Sequence, residues 1–150
     1  MIKSKIFRDQ KSISHYFFNR LGGTSKGIYK SLNCGKGSKD KIANISKNLK
    51  IVSKKIGCTS ENLVSLNQIH SNKVYKISGI PKKRLTGDAV ITNKRNIEIS
   101  ILTADCAPIL IIEKKQKFVG AIHAGWKGAF NVIVNKTFQF LKKMDAQRKI

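Results

Sequence analysis

Acidic residues are scarce in this 150-residue chain: 8 Asp and Glu stand against 30 Lys and Arg, for a formal net charge of +22. That balance attracts polyanions of any kind. The basic residues are nonetheless spread singly along the chain, with few aromatics between them. No helix-turn-helix, zinc-finger or aromatic RNA-binding signature is present, so specific nucleic-acid recognition is not expected. Proline occurs 2 times, which leaves no Pro-rich linker. No apolar run approaches the roughly 20 residues of a membrane span. The opening Met1-Ile2-Lys3-Ser4-Lys5 lacks the apolar core of a secretory signal. The 3 cysteines are odd in number and far apart, which speaks against a disulfide framework. Together these absences predict a cytoplasmic chain with reduced thiols and no membrane contact. The length suits one domain, 1–150, large enough to bury a core.

What is present is a series of short apolar runs. Ile13 to Phe18 reads as a strand, followed by two Gly-containing loops at 19–25 and 31–38. Ile42, Ile45, Leu49, Val52 and Ile56 recur in steps of three and four, the pattern of an amphipathic helix over 40–56 that Gly57 would stop. Strands are predicted at 63–66, 74–77, 88–92, 97–103, 108–112 and 118–123. A charged turn at 113–117 joins the last two. A closing helix over 127–142 would turn Phe130, Ile133, Val134, Thr137, Phe138 and Leu141 inward. Helix, consecutive strands and helix give an α+β order rather than regular βαβ winding.

Three of these runs end on a soft ligand or nucleophile: Leu66-Asn67-Gln68-Ile69-His70, Leu102-Thr103-Ala104-Asp105-Cys106, and Ala121-Ile122-His123-Ala124-Gly125-Trp126-Lys127-Gly128. A strand end is rigid and the loop after it is open, so chemistry is readily built there. His70, Cys106 and His123 are separated by 36 and 17 residues. Structural zinc sites take four ligands in close pairs, whereas three isolated ligands suit a catalytic zinc with an open fourth position. Two His and one Cys also describe a copper site, but Met1 and Met144 lie at the chain ends, far from these runs, so zinc ranks above copper. A third reading needs no metal: Cys106 would be a nucleophile activated by His70 or His123. Asp105 would then orient a histidine, or else be a surface turn residue. Asp88, opening a strand, is a site carboxylate or a cap. The strand-to-helix passage after His123, with Lys127, is a possible anion site, and so is Arg20 beside Gly22 and Gly23; surface charge is the alternative for both. Trp126, the 1 Trp in the chain, either stacks on a base or covers core. Cys34 and Cys58 read as structural, and His15 as a core or rim residue.

The same three islands resemble the signatures of the YfiH/laccase-domain family. Arg20-Leu21-Gly22-Gly23-Thr24-Ser25, Ser31-Leu32-Asn33 and Gly87-Asp88-Ala89 match further family patterns in order. The resemblance covers nearly the whole chain. It implies an α+β fold of mixed, stacked β-sheets flanked by helices. It implies a metal held by His70, Cys106 and His123, which are also the catalytic residues. The activities implied are phosphorolysis of adenosine, inosine, guanosine and methylthioadenosine, with adenosine deamination. Arg20 and Lys127 would attract phosphate; Gln68 and Asp105 would contact substrate or water. Some bacterial members are linked to editing of peptidoglycan precursors, so a cysteine hydrolase acting on an amide is the alternative activity. A non-enzymatic basic remnant that binds a partner is the other. Two departures stand out. Lys127 occupies a position where the family usually has Arg, and Lys lacks the bidentate fork. Family members are also typically far longer, so the chain reads as lacking a C-terminal part, and an oligomer or a missing-fragment partner is expected.

Overall fold

Helix α1 (Ile42–Ile56) forms where the sequence places apolar residues three and four apart, and Gly57 ends it in the left-handed region at φ 86°, its N–H bonded to Ser53 O at 3.0 Å. The structure, a computed structural model, describes residues 1–113, 118–127 and 132–146. Its residues fall into two units, Met1–Ser60 and Glu61–Ile150.

In the first unit α1 buries Ile45 and Val52, but Ile42, placed on the apolar face by its spacing, is 84% exposed. Between the two apolar contacts sits Asn48, fully buried. Its Nδ2 donates to Ser25 Oγ and to the carbonyls of Ser31 and Asn33, while its Oδ1 accepts from the N–H and hydroxyl of Thr24. One side chain thus ties both Gly-containing loops to the helix. Asp40 extends the network: its Oδ2 accepts from Ser25 Oγ at 2.6 Å and Asn33 Nδ2 at 3.0 Å, and its Oδ1 accepts the Lys41 N–H at 2.7 Å. The expected strand over 13–18 is reduced to one antiparallel bridge, Ile2↔Phe17. His15 is half-buried, its Nε2 accepting the Ser4 N–H.

Among its described residues the second unit shows two sheets and one long helix. Strands β2 (Val74–Ile77), β3 (Ala89–Thr92), β5 (Ala107–Ile112) and β6 (Val119–Ala124) form a four-stranded sheet in the order β2-β3-β6-β5. β2 and β3 run parallel, and the other two pairings are antiparallel. β1 (Leu63–Ser65) and β4 (Glu98–Ser100) form a short parallel pair. Alternation along the strands separates two cores. Ile77, Val90 and Ala121 pack with Val64 and Leu66 of the small sheet's side, backed by Ile97, Ile99 and Ile101. The alternate residues Ala89, Ile122 and Ala124 pack with Ile133 of helix α2 (Ile133–Ala146). The fold is therefore α+β, with stacked sheets and a helix on the outer face of the larger one.

Two elements depart from expectation. The strand predicted over 97–103 stops at Ser100, because the Gln68 side chain takes the backbone of Leu102 as a strand partner would: Nε2 donates to Leu102 O at 2.7 Å and Oε1 accepts from Leu102 N at 2.8 Å. Of the closing helix expected over 127–142, Lys127 is helical and α2 runs from Ile133; residues 128–131, with Phe130, lie outside the described residues, as do 114–117 of the expected turn. Burial follows the Ile133–Thr137 line, which leaves Phe138, a hundred degrees round the helix, 47% exposed instead of inward. Among the described residues no helix is long and apolar enough to cross a membrane.

Candidate metal centre

Strand register builds the site. Ala89 faces Ile122 across β3 and β6, so Asp88 and His123 are the next pair, and the His123 N–H donates to Asp88 O at 2.7 Å. Ala107 faces Ala124 across β5 and β6, so Cys106 lies beside Gly125. The loop after β1 is pinned by a parallel bridge between Asn67 and Thr86, with Asn67 N bonded to Leu85 O and Gly87 N to Asn67 O. That pinning carries His70 to the same place. One ligand atom from each of His70, Cys106 and His123 lies within 4.8 Å of the others. Cys106 Sγ stands 3.7 Å from His70 Nε2, and the two imidazole rings meet edge to face with centroids 4.8 Å apart.

Asp88 organises the cluster. Fully buried, it accepts the His123 Nδ1–H and the His70 N–H on Oδ1, at 2.7 and 3.0 Å. Its Oδ2 accepts the N–H groups of Ile69 and Ser71 and the Ser71 hydroxyl, at 3.3, 2.6 and 2.7 Å. Burial pushes its carboxyl up, but the bonds from His123, Ser71 and Ile69 outweigh it and hold the pKa below its ordinary value. An ionised carboxylate only accepts, so His123 presents Nδ1–H to it, the tautomer that keeps the Nε2 lone pair for a metal. His70 adopts φ 57°, unusual outside glycine, and the fan of amides around Asp88 is what holds it there. Gly125 closes the site from below. A Cβ at that position would collide with His70 Cδ2 and lie 3.3 Å from Cys106 Sγ.

The donor set fits a metal. Zinc bonds of about 2.0–2.3 Å in a tetrahedron put ligand atoms roughly 3.3–3.8 Å apart, and the 3.7 Å between Cys106 Sγ and His70 Nε2 already matches. The carboxylate behind a ligating imidazole is the usual companion of a bound metal. Two nitrogens and one sulfur suit zinc and copper alike. Burial, the bond to Asp105 and the charges of Asp105 and Asp88 raise the Cys106 thiol above its ordinary pKa. That direction is opposite to the depressed thiol of an activated cysteine nucleophile.

The remaining candidates are distributed as follows. Asp105 is exposed beside Cys106 and accepts its S–H at 3.6 Å. Lys127 is exposed, with Nζ 5.2 Å from the centre of the Trp126 ring. Gln68 clamps Leu102, which leaves one N–H of its amide for a ligand. Arg20 belongs to the first unit, where its Nη2 donates to Lys30 O. Cys34 and Cys58 are half-buried; burial pushes the Cys34 thiol up to about 11. Ser71, which sequence reasoning did not mark, shares Asp88 with both histidine segments.

Comparison with known proteins places the chain in a family. The family described as multi-copper polyphenol oxidoreductase laccase matches residues 14–150. A purine nucleoside phosphorylase of Corynebacterium glutamicum is 31% identical over 140 residues, covering 91% of this chain and 57% of its own length. One from Bacteroides thetaiotaomicron is 34% identical over 141 residues, covering 88% and 52%. The solved structure of Neisseria meningitidis protein NMB0706 superposes with a TM-score of 0.75 at 32% identity, over 82% of this chain and 50% of that one. Bacillus licheniformis YfiH shares the fold, with a TM-score of 0.79 at 23% identity. The chain thus spans about half the length of the relatives it matches.

Proposed function

We propose that this chain, which belongs to the multi-copper polyphenol oxidoreductase laccase family, carries the metal centre of a purine nucleoside phosphorylase. Its substrates are adenosine, inosine, guanosine or methylthioadenosine with inorganic phosphate, and it also deaminates adenosine. The observation that carries the reading is the convergence of His70, Cys106 and His123 on one point, with Asp88 behind His123, in a chain whose relatives bear that name. His70 Nε2, Cys106 Sγ and His123 Nε2 would hold zinc. Bound there, zinc would supply Lewis acidity at an open fourth position.

The chain's own groups have defined tasks. Asp88 keeps the His123 proton on Nδ1 and fixes the backbone around His70. In phosphorolysis a phosphate oxygen bonds to the ribose C1′, the bond from C1′ to the purine nitrogen breaks, and the departing base takes up a proton. Lys127 offers phosphate a single positive charge, weaker and less directional than a guanidinium. Asp105 is the exposed carboxylate beside Cys106 that can exchange a proton with substrate or water. In deamination water adds to the purine C6 and ammonia leaves.

The test is metal content and release of free base by the purified chain, beside Cys106→Ala. About one zinc per chain and phosphate-dependent release of base, both lost in the variant, are expected. A folded, metal-loaded chain that turns over no purine nucleoside would overturn the proposal. The 3.7 Å approach of Cys106 to His70 favours one other reading, a cysteine hydrolase; thiol alkylation would then abolish an activity that chelators leave intact.

A further inference from the structure

Trp126 is the only Trp in the chain, yet it is 74% exposed. Trp is among the most costly side chains to leave in water, and it is highly buried on average. It does not cover the core, the blander of its two sequence readings. Its place in the chain is equally specific. It follows Gly125, the residue whose missing Cβ makes room for His70 and Cys106, with the Cys106 sulfur only 3.3 Å from where that Cβ would be. Consecutive Cα atoms are about 3.8 Å apart, so the indole is anchored one residue from the wall of the metal centre. A nucleoside whose ribose carbon reacts at that centre must set its flat base a few ångströms away. A base offers a π-face that an aromatic ring recognises without reading its hydrogen-bond edge. The Lys127 ammonium, 5.2 Å from the ring centre, adds a cation at the same place and suits the phosphate that accompanies the base.

We infer that Trp126 is the stacking platform for the purine ring, a binding residue that sets affinity for the base while leaving the ribose and phosphate to other groups. The inference rests on the purine nucleoside reading. It also explains how one site accepts adenine, guanine and hypoxanthine, because stacking tolerates changes at the edge.

The test uses the zinc-loaded 150-residue chain, whose single Trp makes intrinsic fluorescence a direct report on residue 126. Adenosine and inosine are titrated, with ribose 1-phosphate as a ligand that lacks the base. Saturable quenching of the wild type is expected. By calorimetry, Trp126→Ala should bind the nucleosides roughly 5- to 100-fold more weakly. Trp126→Phe should retain most of the affinity, and ribose 1-phosphate affinity and zinc content should stay unchanged in both. Nucleoside binding that is equal in wild type and Trp126→Ala would overturn the inference and leave the proposed function standing. Loss of nucleoside and ribose 1-phosphate together, or loss of zinc, would overturn it by making Trp126 structural. A wild type that binds no purine nucleoside would overturn both.

Discussion

Replacing Asp88 by Asn changes one oxygen into an NH2 group, almost without changing shape, inside a site where every neighbour donates. Five donors converge on the carboxylate, two on Oδ1 and three on Oδ2. An asparagine can face its carbonyl to only one set. With the NH2 toward Oδ2, it opposes two backbone amides and a hydroxyl. With the NH2 toward Oδ1, it opposes the His70 N–H, and His123 must accept at Nδ1. The second arrangement orphans fewer groups, so it is the one the variant should adopt. It moves the His123 proton to Nε2, the atom that would bind metal. One orphaned buried amide and the loss of charge-assisted bonds cost about 2–4 kcal/mol of stability. Losing the carboxylate behind a ligating imidazole weakens metal binding by roughly 10- to 100-fold, and the tautomer switch puts Asp88→Asn at the upper end. Urea denaturation of the metal-free proteins at pH 7 reads the first quantity. Competition with a chromophoric chelator reads the second, and the nitrogen shifts of His123 report the tautomer. Zinc affinity within about twofold of wild type and an unchanged His123 tautomer would refute the reasoning, because Asp88 would then be only a loop anchor.

Three further outcomes follow from single contacts. Gly125→Ala places a methyl against His70 Cδ2 and close to Cys106 Sγ; the variant should lose about 1–3 kcal/mol from overpacking and bind metal more weakly, measured by the same titrations. Asn48→Ala in the first unit removes the side chain that meets Thr24, Ser25, Ser31 and Asn33. It leaves the Thr24 N–H and the Asn33 carbonyl without this partner, while Ser31 O keeps the Ser25 N–H, for a loss of about 2–4 kcal/mol in denaturant unfolding, whereas the exposed Ile42→Ala should lose little. The Ser25 hydroxyl, opposed by burial and aided by Asn33, Asn44 and the Lys41 amide, holds the Asp40 carboxyl below its ordinary value. Because the folded pKa lies under the unfolded one, Asp40 contributes stability above about pH 3.9. That contribution disappears as pH falls through the folded value. Asp40→Asn should lack this part of the acid dependence, measured as the difference between the two pH–stability curves.

What the sequence discloses about this molecule depends on whether a residue's role is periodic, chemical or relational. The four strands of the larger sheet were legible because their apolar runs are bounded by Gly, Asp and charged turns, and the helix at 42–56 because its stop is a glycine that takes up φ 86°. His70, Cys106 and His123 were legible as candidate ligands because few other side chains bind soft metals, and each follows an apolar run. Roles that depend on a partner's register were not. Asp88 looks like any residue opening a strand until β3 and β6 align to put His123 beside it and the Asn67–Thr86 bridge brings three amides onto its other side. Asn48 sits at a position where helical periodicity asks for an apolar residue, and only the two loops folded over it explain the amide. Gln68 presents a polar side chain that fits a ligand role equally well, but it shortens β4 by bonding Leu102 on both sides. In each case the local pattern constrains which face of an element is wet or dry. The identity of the buried polar residue is set by backbone groups from distant segments, whose number and direction no local window contains. That is why the three converging side chains could be named from the chain, while the carboxylate beside them could only be offered as one of two readings.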